Sequence, residues 1–282
     1  MLGPFEYVRA LSLEEACRLL REEGESARAF AGGTDLLVEI RNGIRSPSLL
    51  VDIKLIGTLS TLEADGADEG LRIGPAVTLN RIAEHAALRQ KLPALSDAAL
   101  SIATYQLRNR ATLGGNLCNA SPASDSIPPL LVVDAIMEIQ GVDGAREVPL
   151  DCFCTGVKKT CLESGEIVSG IRVPAIAAGT RTVFLKQQRI KGHDLAVVNL
   201  AGALTPDGLL KISVGSCTPT PLLLEPIETA GHSEDAVSEE AVRLAAESIS
   251  PISDVRASAE YRRAIVPALV RRLVHDLVKG GA

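Results

Sequence analysis

Two paired-glycine segments carry the chemistry that can be read from this chain: Ala31-Gly32-Gly33-Thr34-Asp35-Leu36-Leu37 and Arg110-Ala111-Thr112-Leu113-Gly114-Gly115-Asn116. Adjacent glycines beside a threonine let backbone N–H groups approach an anion with no Cβ in the way. A single such segment is most often a plain turn. Two in one chain point to a diphosphate gripped from both sides, as in a dinucleotide cofactor. Neither has the G-x-G-x-x-G spacing of the nicotinamide-type fingerprint, and no Walker A lysine follows either one. The expected cradle is therefore of a different kind.

The surrounding pattern predicts the elements that must hold these loops. Ser12 as N-cap and Glu15 as its capping-box partner open a helix carrying Leu13, Ala16, Cys17 and Leu20 on one face, closed by Gly24. A strand at Ala27–Ala31 feeds the first loop, a helix runs from about Asp35 to Arg41, and a strand covers Leu49–Ile53. The first loop thus lies where a strand passes into a helix start, a place that favours anions. Leu71–Ile73 reads as a strand, Thr78 caps a helix to about Gln90, and another helix covers Ala94–Ala103. Tyr105–Pro129 shows no periodicity and reads as one long functional loop. Ile136–Gln140 and Ala145–Leu150 form a hairpin around Asp143-Gly144, and Glu166–Val173 is a strand. After a small-residue linker at Ala175–Thr180 come strands Thr182–Gln188, Leu195–Leu204 and Leu209–Val214. Helices Glu239–Ser248 and Ser258–Lys279 follow, the latter with a kink or split expected at Pro267.

Composition excludes several functions. The 282 residues are 46% hydrophobic but only 2% aromatic, with no Trp, so the cores are aliphatic and base stacking on nucleic acid is not expected. The net charge of −6 also speaks against nucleic acid or an anionic membrane as partner. No run approaches the roughly 20 apolar residues of a membrane span. Met1-Leu2-Gly3-Pro4-Phe5-Glu6 shows no basic stretch followed by an apolar one, and the six cysteines fit a reducing cytoplasm.

Taken together, the two loops with Leu107-Arg108-Asn109, the continuation Leu117-Cys118-Asn119-Ala120-Ser121-Pro122-Ala123-Ser124-Asp125, Pro128-Pro129-Leu130-Leu131, and Phe184-Leu185-Lys186-Gln187-Gln188-Arg189 with Asp194-Leu195-Ala196 carry a resemblance. The chain resembles the FAD-binding medium subunits of the molybdenum hydroxylases, the xanthine dehydrogenase and carbon monoxide dehydrogenase family, over nearly its whole length. The resemblance implies an α+β protein. A PCMH or vanillyl-alcohol-oxidase-type FAD-binding domain is expected over 1–175, with two α/β subdomains at about 1–57 and 58–175. A C-terminal α+β domain like that of the carbon monoxide dehydrogenase flavoprotein would follow over 176–282.

It also implies roles. Gly32, Gly33, Thr34 and Asp35, flanked by Ala31 and Leu36, would wrap the FAD pyrophosphate through backbone amides and the Thr hydroxyl, with Thr112, Gly114 and Gly115 doing the same from the other side. Asn116 and Asp125 would bond the ribityl or ribose region, Val168 would give a backbone contact, and Lys186 would approach the flavin. Certain relatives place an aromatic residue over the flavin where this chain has Ile102; the cover is then aliphatic, or comes from Tyr105 or another segment. The partners implied are a large molybdopterin-binding subunit and a small subunit with two [2Fe–2S] clusters, in a heterotrimer or a dimer of heterotrimers.

Duller roles compete at single positions. Asp125 can be an N-cap for a helix over Ser126–Val133, and Lys186 an edge-strand charge. His193 beside Asp194 reads as a loop histidine rather than a dyad. Cys118, Cys152, Cys154 and Cys161 lack iron–sulfur spacing, with Cys152 and Cys154 in a strand-like segment. The leading function is an electron-transfer flavoprotein subunit that receives electrons from partner clusters. A self-sufficient FAD-dependent oxidoreductase of the same fold is the alternative, disfavoured because His85, His193, His232 and His275 are scattered. A degenerate scaffold that has lost FAD is disfavoured by two intact loops.

Overall fold

Three main sheets, each with its own helical cover, and a two-stranded sheet in the second unit organise the chain; the structure, a computed structural model, describes residues 3–65 and 70–279. Met1 and Leu2, part of the segment read for a targeting signal, lie outside the described residues. The first unit comprises β1 (Glu6–Arg9), α1 (Leu13–Glu23), β2 (Ala27–Phe30), α2 (Leu36–Arg41) and β3 (Leu49–Asp52). Its strands form a parallel sheet in the order β1-β3-β2. The N-terminal edge β1 has a mostly exposed pattern and carries no strand signal in the sequence. Ser12 caps α1 as expected, accepting from Glu15 N, while the Glu15 carboxylate reaches Leu11 N rather than Ser12 N. Ala16, Cys17 and Leu20 pack on Leu49 and Val51.

The second unit is larger. It runs β4 (Leu62–Asp65), β5 (Gly70–Ile73), α3 (Leu79–Glu84), α4 (Ala86–Lys91), α5 (Pro93–Ser101), α6 (Tyr105–Arg108), α7 (Leu113–Cys118), α8 (Ile127–Leu131), β6 (Ile136–Gly141), β7 (Gly144–Pro149), α9 (Leu150–Phe153), β8 (Cys154–Gly156), β9 (Lys159–Thr160) and β10 (Ile167–Val173). Its main sheet is antiparallel in the order β4-β5-β10-β6-β7. Three expectations are corrected in this unit. The single helix from Thr78 breaks at His85, whose backbone is extended, although no Gly or Pro in the segment announces it. The stretch Tyr105–Pro129 is not one loop but holds α6, α7 and the start of α8. Four- to six-residue helices are too short to show a 3.6-residue period, so their signal lies in the caps Thr104 and Thr112 instead. Cys152 likewise sits in α9 rather than in a strand.

Within β10 the pleat joins two cores: Ile167 packs with the first unit, and Val168 turns into the second. The third unit comprises β11 (Arg181–Gln187), β12 (Val198–Leu204), β13 (Leu209–Gly215), β14 (Leu222–Leu223), β15 (Ile227–Glu228), α10 (Glu234–Ser248) and α11 (Ala259–Lys279). β15 pairs with β13 beside the path β11-β12-β13-β14. α11 runs unbroken through Pro267, so the split that was one of the two expected outcomes does not occur. A proline inside a helix removes one backbone bond, but Val266, Leu269, Val270, Leu273, Val274 and Leu277 are buried on one side and hold the helix on the sheet. β12 carries Gly202 beneath it, where a Cβ would press on Leu273 and Leu277. α5 and α8 of the second unit pack on β11 and β12, closing the third unit against the second.

Leu273 is fully buried in this core. Leu273→Ala is expected to destabilise the protein by about 2–5 kcal/mol, read as a lower urea midpoint with an unchanged slope.

Candidate functional site

The two glycine loops meet. A Cβ on Gly32 would overlap the Arg110 carbonyl oxygen and crowd the Ala111 Cα, so one backbone lies directly on the other. Gly33 has φ +71° and sits against the Phe30 ring, which leaves no room for a side chain. These two glycines are therefore required for the approach itself, one by contact and the other also by conformation.

The loops differ in what their amides do. Among the described residues the N–H groups of Gly32, Gly33, Thr34 and Asp35 are paired with no protein acceptor, whereas the carbonyls of Gly33 and Asp35 accept from Leu37 N and Glu39 N. In the second loop four amides are engaged. Leu113 N donates to Val77 O, Gly114 N to Pro75 O at 2.9 Å, Gly115 N to Thr112 Oγ1 at 3.1 Å and Asn116 N to Thr112 O. The Leu79 N to Ala111 O bond and the Thr78–Thr112 bridge complete this stitching to segment 75–79. A Cβ on Gly114 would strike Pro75. Thus the Gly114 and Gly115 amides, expected to face the cofactor, are spent on shaping the α7 entry, Thr112 caps that helix through its hydroxyl, and the first loop holds a run of four unpaired amides.

Beyond α7, Asn116 accepts through Oδ1 from Ser124 Oγ at 2.5 Å and Ser126 Oγ at 2.6 Å, which turns its amino group away from them. Asp125 is buried rather than capping a helix; Ser126 takes the N-cap position of α8. Its Oδ2 accepts from Lys186 Nζ at 2.7 Å, and both side chains are nearly inaccessible, at 5% and 7%. Its Oδ1 accepts from Asn199 Nδ2 at 2.7 Å. Burial pushes the Asp125 carboxyl up, and Lys186, Asn199 and Ser101 offset only part of that push. Lys186 is therefore no edge charge but one half of an ion pair across the second and third units. Ile102 ends α5, and its carbonyl accepts from Arg108, as does that of Ala103, which has φ +46°. The Val168 side chain is buried in the core of the second unit.

Sequence reasoning passed over Lys54. Its Nζ donates to the carbonyl of Ala31 at 3.1 Å, pairs with Asp52 at 2.8 Å and lies 4.1 Å from the centre of the Phe30 ring. Tyr7 donates its hydroxyl to the other oxygen of Asp52, and its ring meets Phe30 edge-on. The first loop thus stands on a bonded base of Phe30, Lys54, Asp52 and Tyr7. Burial pushes the Asp52 carboxyl up, but hydrogen bonds from Lys54 and Tyr7 together with the Lys54 charge outweigh this and hold it below the usual carboxylate range. The only sequence signal was a Lys two residues after an Asp at a strand end, which is commonplace on a surface.

Other candidates fall away. Asp194 is engaged by Arg189 through two bonds of 2.9 Å, which hold its pKa down to about 2, so it forms no dyad with His193. The six cysteines are free thiols, and among the described residues no three His, Cys, Asp or Glu side chains could hold a metal.

The family described as FAD binding domain in molybdopterin dehydrogenase matches residues 3–176, and the CO dehydrogenase flavoprotein C-terminal domain matches residues 183–277. The chain belongs to the FAD-binding subunits of the molybdenum hydroxylases. It is 32% identical over 286 residues to the xanthine dehydrogenase FAD-binding subunit of Escherichia coli O157:H7, spanning 96% of this chain and 95% of the relative. It is also 32% identical to the carbon monoxide dehydrogenase medium chain of Hydrogenophaga pseudoflava, over 98% of both. A solved carbon monoxide dehydrogenase from Hydrogenophaga pseudoflava superposes with a TM-score of 0.93 at 31% identity over 99% of each chain. Quinoline 2-oxidoreductase from Pseudomonas putida 86 follows with 0.88 at 27% identity, again over 99% of each. The α+β architecture of this family, an FAD-binding part followed by the flavoprotein C-terminal domain, is the architecture found here.

Lys54→Met is expected to lower stability by about 1–3 kcal/mol at neutral pH, because Asp52 is left buried without its cation. A carboxylate with a depressed folded-state pKa contributes stability above its unfolded value and loses it as pH falls through the folded one. The gap between wild type and variant should therefore narrow below about pH 4, as urea unfolding at neutral and acidic pH will measure.

Proposed function

We propose that this chain binds FAD between its two glycine loops and serves as the electron-transfer subunit of a molybdenum hydroxylase. In this reading a large molybdopterin-binding subunit and a small [2Fe–2S] subunit assemble with it in a heterotrimer or a dimer of heterotrimers. Substrate oxidation then belongs to another chain, and the setting is cytoplasmic. Among the described residues no helix is long and apolar enough to cross a membrane. The observation that carries the cofactor assignment is the run of unpaired amides at Gly32, Gly33, Thr34 and Asp35, pressed against the second loop by the Gly32–Arg110 contact. Such a run of free donors on a paired-glycine loop suits a diphosphate.

The residues divide the work. Ala31 to Leu36 hold the pyrophosphate, with the Thr34 hydroxyl as a further donor. Thr112, Gly114 and Gly115 give the opposing wall its shape, and the Asn116 amino group faces the ribityl or ribose region with its Oδ1 already satisfied. Asp125 and Lys186 form the charged end of the site, Ile102 its aliphatic cover, and Val168 a backbone contact from β10. When bound, FAD supplies redox chemistry that links two-electron donors or acceptors to one-electron carriers. A cation at Lys186 favours the electron-rich form of the ring system.

A spectrum of the purified protein tests the reading. Absorbance maxima at about 370 and 450 nm are expected, either directly or after reconstitution with FAD; their absence from well-folded protein would refute it. Gly32→Val forces the Arg110 carbonyl away and should weaken FAD binding by about tenfold or more, while His193→Ala leaves it unchanged. Iron and molybdenum that co-purify with the complex, but not with the isolated chain, are the expected mark of the partner subunits.

A further inference from the structure

Asn199 is fully buried at the head of β12, with Lys186 of β11 and Gly215 of β13 as its two in-register neighbours. Its amino group donates to Asp125 Oδ1 at 2.7 Å and to Ser124 O at 3.1 Å. The second oxygen of Asp125 accepts from Lys186, which also donates to the Ser101 carbonyl at 3.1 Å. The arrangement is costly. Asn199 Oδ1 is buried without a hydrogen-bond donor, a state that native interiors rarely tolerate. Space has been cleared for it as well: a Cβ on Gly215 would overlap that same oxygen. An apolar residue at 199 would avoid the orphaned acceptor, so the carboxamide is kept for what its N–H groups do.

What they do is immobilise Asp125. With one oxygen on Asn199 and the other on Lys186, the carboxylate has one orientation, and the Lys186 ammonium has one position between Asp125 and the Ser101 carbonyl. On the far side, the Ser124 and Ser126 hydroxyls carry the same network to Asn116 at the second glycine loop. Lys186 is the charged group paired with Asp125, and the other side chains bonded to that carboxylate, Asn199 and Ser101, are neutral.

We infer that Asn199 is a positioning residue for the redox cofactor, one that locks Asp125 onto Lys186 and so fixes the charge that balances oxidised against reduced flavin. The inference rests on the reading that FAD occupies this site with its flavin beside Lys186. Without the Asn199 donor, the buried Asp125 takes up a proton at higher pH. Lys186 then stands uncompensated, and reduced FAD gains affinity over oxidised FAD as pH falls.

The test is the midpoint potential of FAD bound to the full chain, measured across about pH 6 to 8 for wild type, Asn199→Leu and the milder Asn199→Ser. The Leu variant should show at least a tenfold gain in the affinity ratio of reduced to oxidised FAD, relative to wild type, between the alkaline and acidic ends. That corresponds to about 30 mV for a two-electron couple. The Ser variant, whose single hydroxyl can serve one of the two acceptors, should shift in the same direction by less, and it carries the test if the Leu protein does not fold. If both variants only melt earlier while their potentials run parallel to wild type at every pH, Asn199 is structural and the inference fails. If wild-type protein binds no FAD, the site reading itself fails, which is a separate result.

Discussion

The site depends on one constraint, the direct contact of two backbones at Gly32 and Arg110. There the bare peptide groups of the first and second units face each other. The contact tolerates no Cβ on Gly32, and it works only if both loops are held rigidly from behind. On one side the base is Phe30, Lys54, Asp52 and Tyr7. On the other, the second loop is stitched to segment 75–79 by bonds from Leu79, Leu113 and Gly114. Rigidity is bought differently on the two sides: a charge-assisted cluster supports the first loop and a backbone ladder the second. The first loop therefore keeps a run of four unpaired amides, while the second spends those of Leu113, Gly114, Gly115 and Asn116 on staying in place.

The charged end of the proposed site follows another logic. Asp125 comes from the second unit, Lys186 and Asn199 from adjacent strands of the third, so the ion pair exists only when the two units are docked. Buried ion pairs are weak contributors to stability because desolvation offsets their attraction. Their retention here, with an orphaned carboxamide oxygen beside them, is better explained by the electrostatics of the site than by folding energy. A family member that passes electrons onward needs a tuned potential more than an acid and a base. The histidines agree with that: His275 pairs with Glu234 between α10 and α11, and His193 lies exposed on a loop.

Much of this was legible in the residues. The Ser12 cap, the Asp143-Gly144 hairpin, the three long strands of the third unit and both glycine loops depend on local chemistry, in which caps, turns and alternation act over a few residues. The family resemblance rested on the same local segments and agrees with matches that cover nearly the whole chain. What escaped was either too short or too far apart. β1, β4, β14 and β15 are two to four residues long and are held by pairing, not by propensity. Helices α6 to α8 hid in an apparent loop because one or two turns show no period. Lys54 and Asn199 matter through partners distant in sequence, to which no local pattern points.

The sequence by itself determined which groups could bind an anion, because glycine and threonine confer that capacity wherever they stand. It also determined the order of the units, through hydrophobic periodicity and capping. Only the tertiary structure decided which amides remain available, since a donor is free or spent according to the carbonyl that packs against it. It likewise decided that Lys186 faces Asp125 and that Asn199 holds them. Those are contacts between strands and helices of different units, and burial gives them an electrostatic weight that the same residues would not have in water.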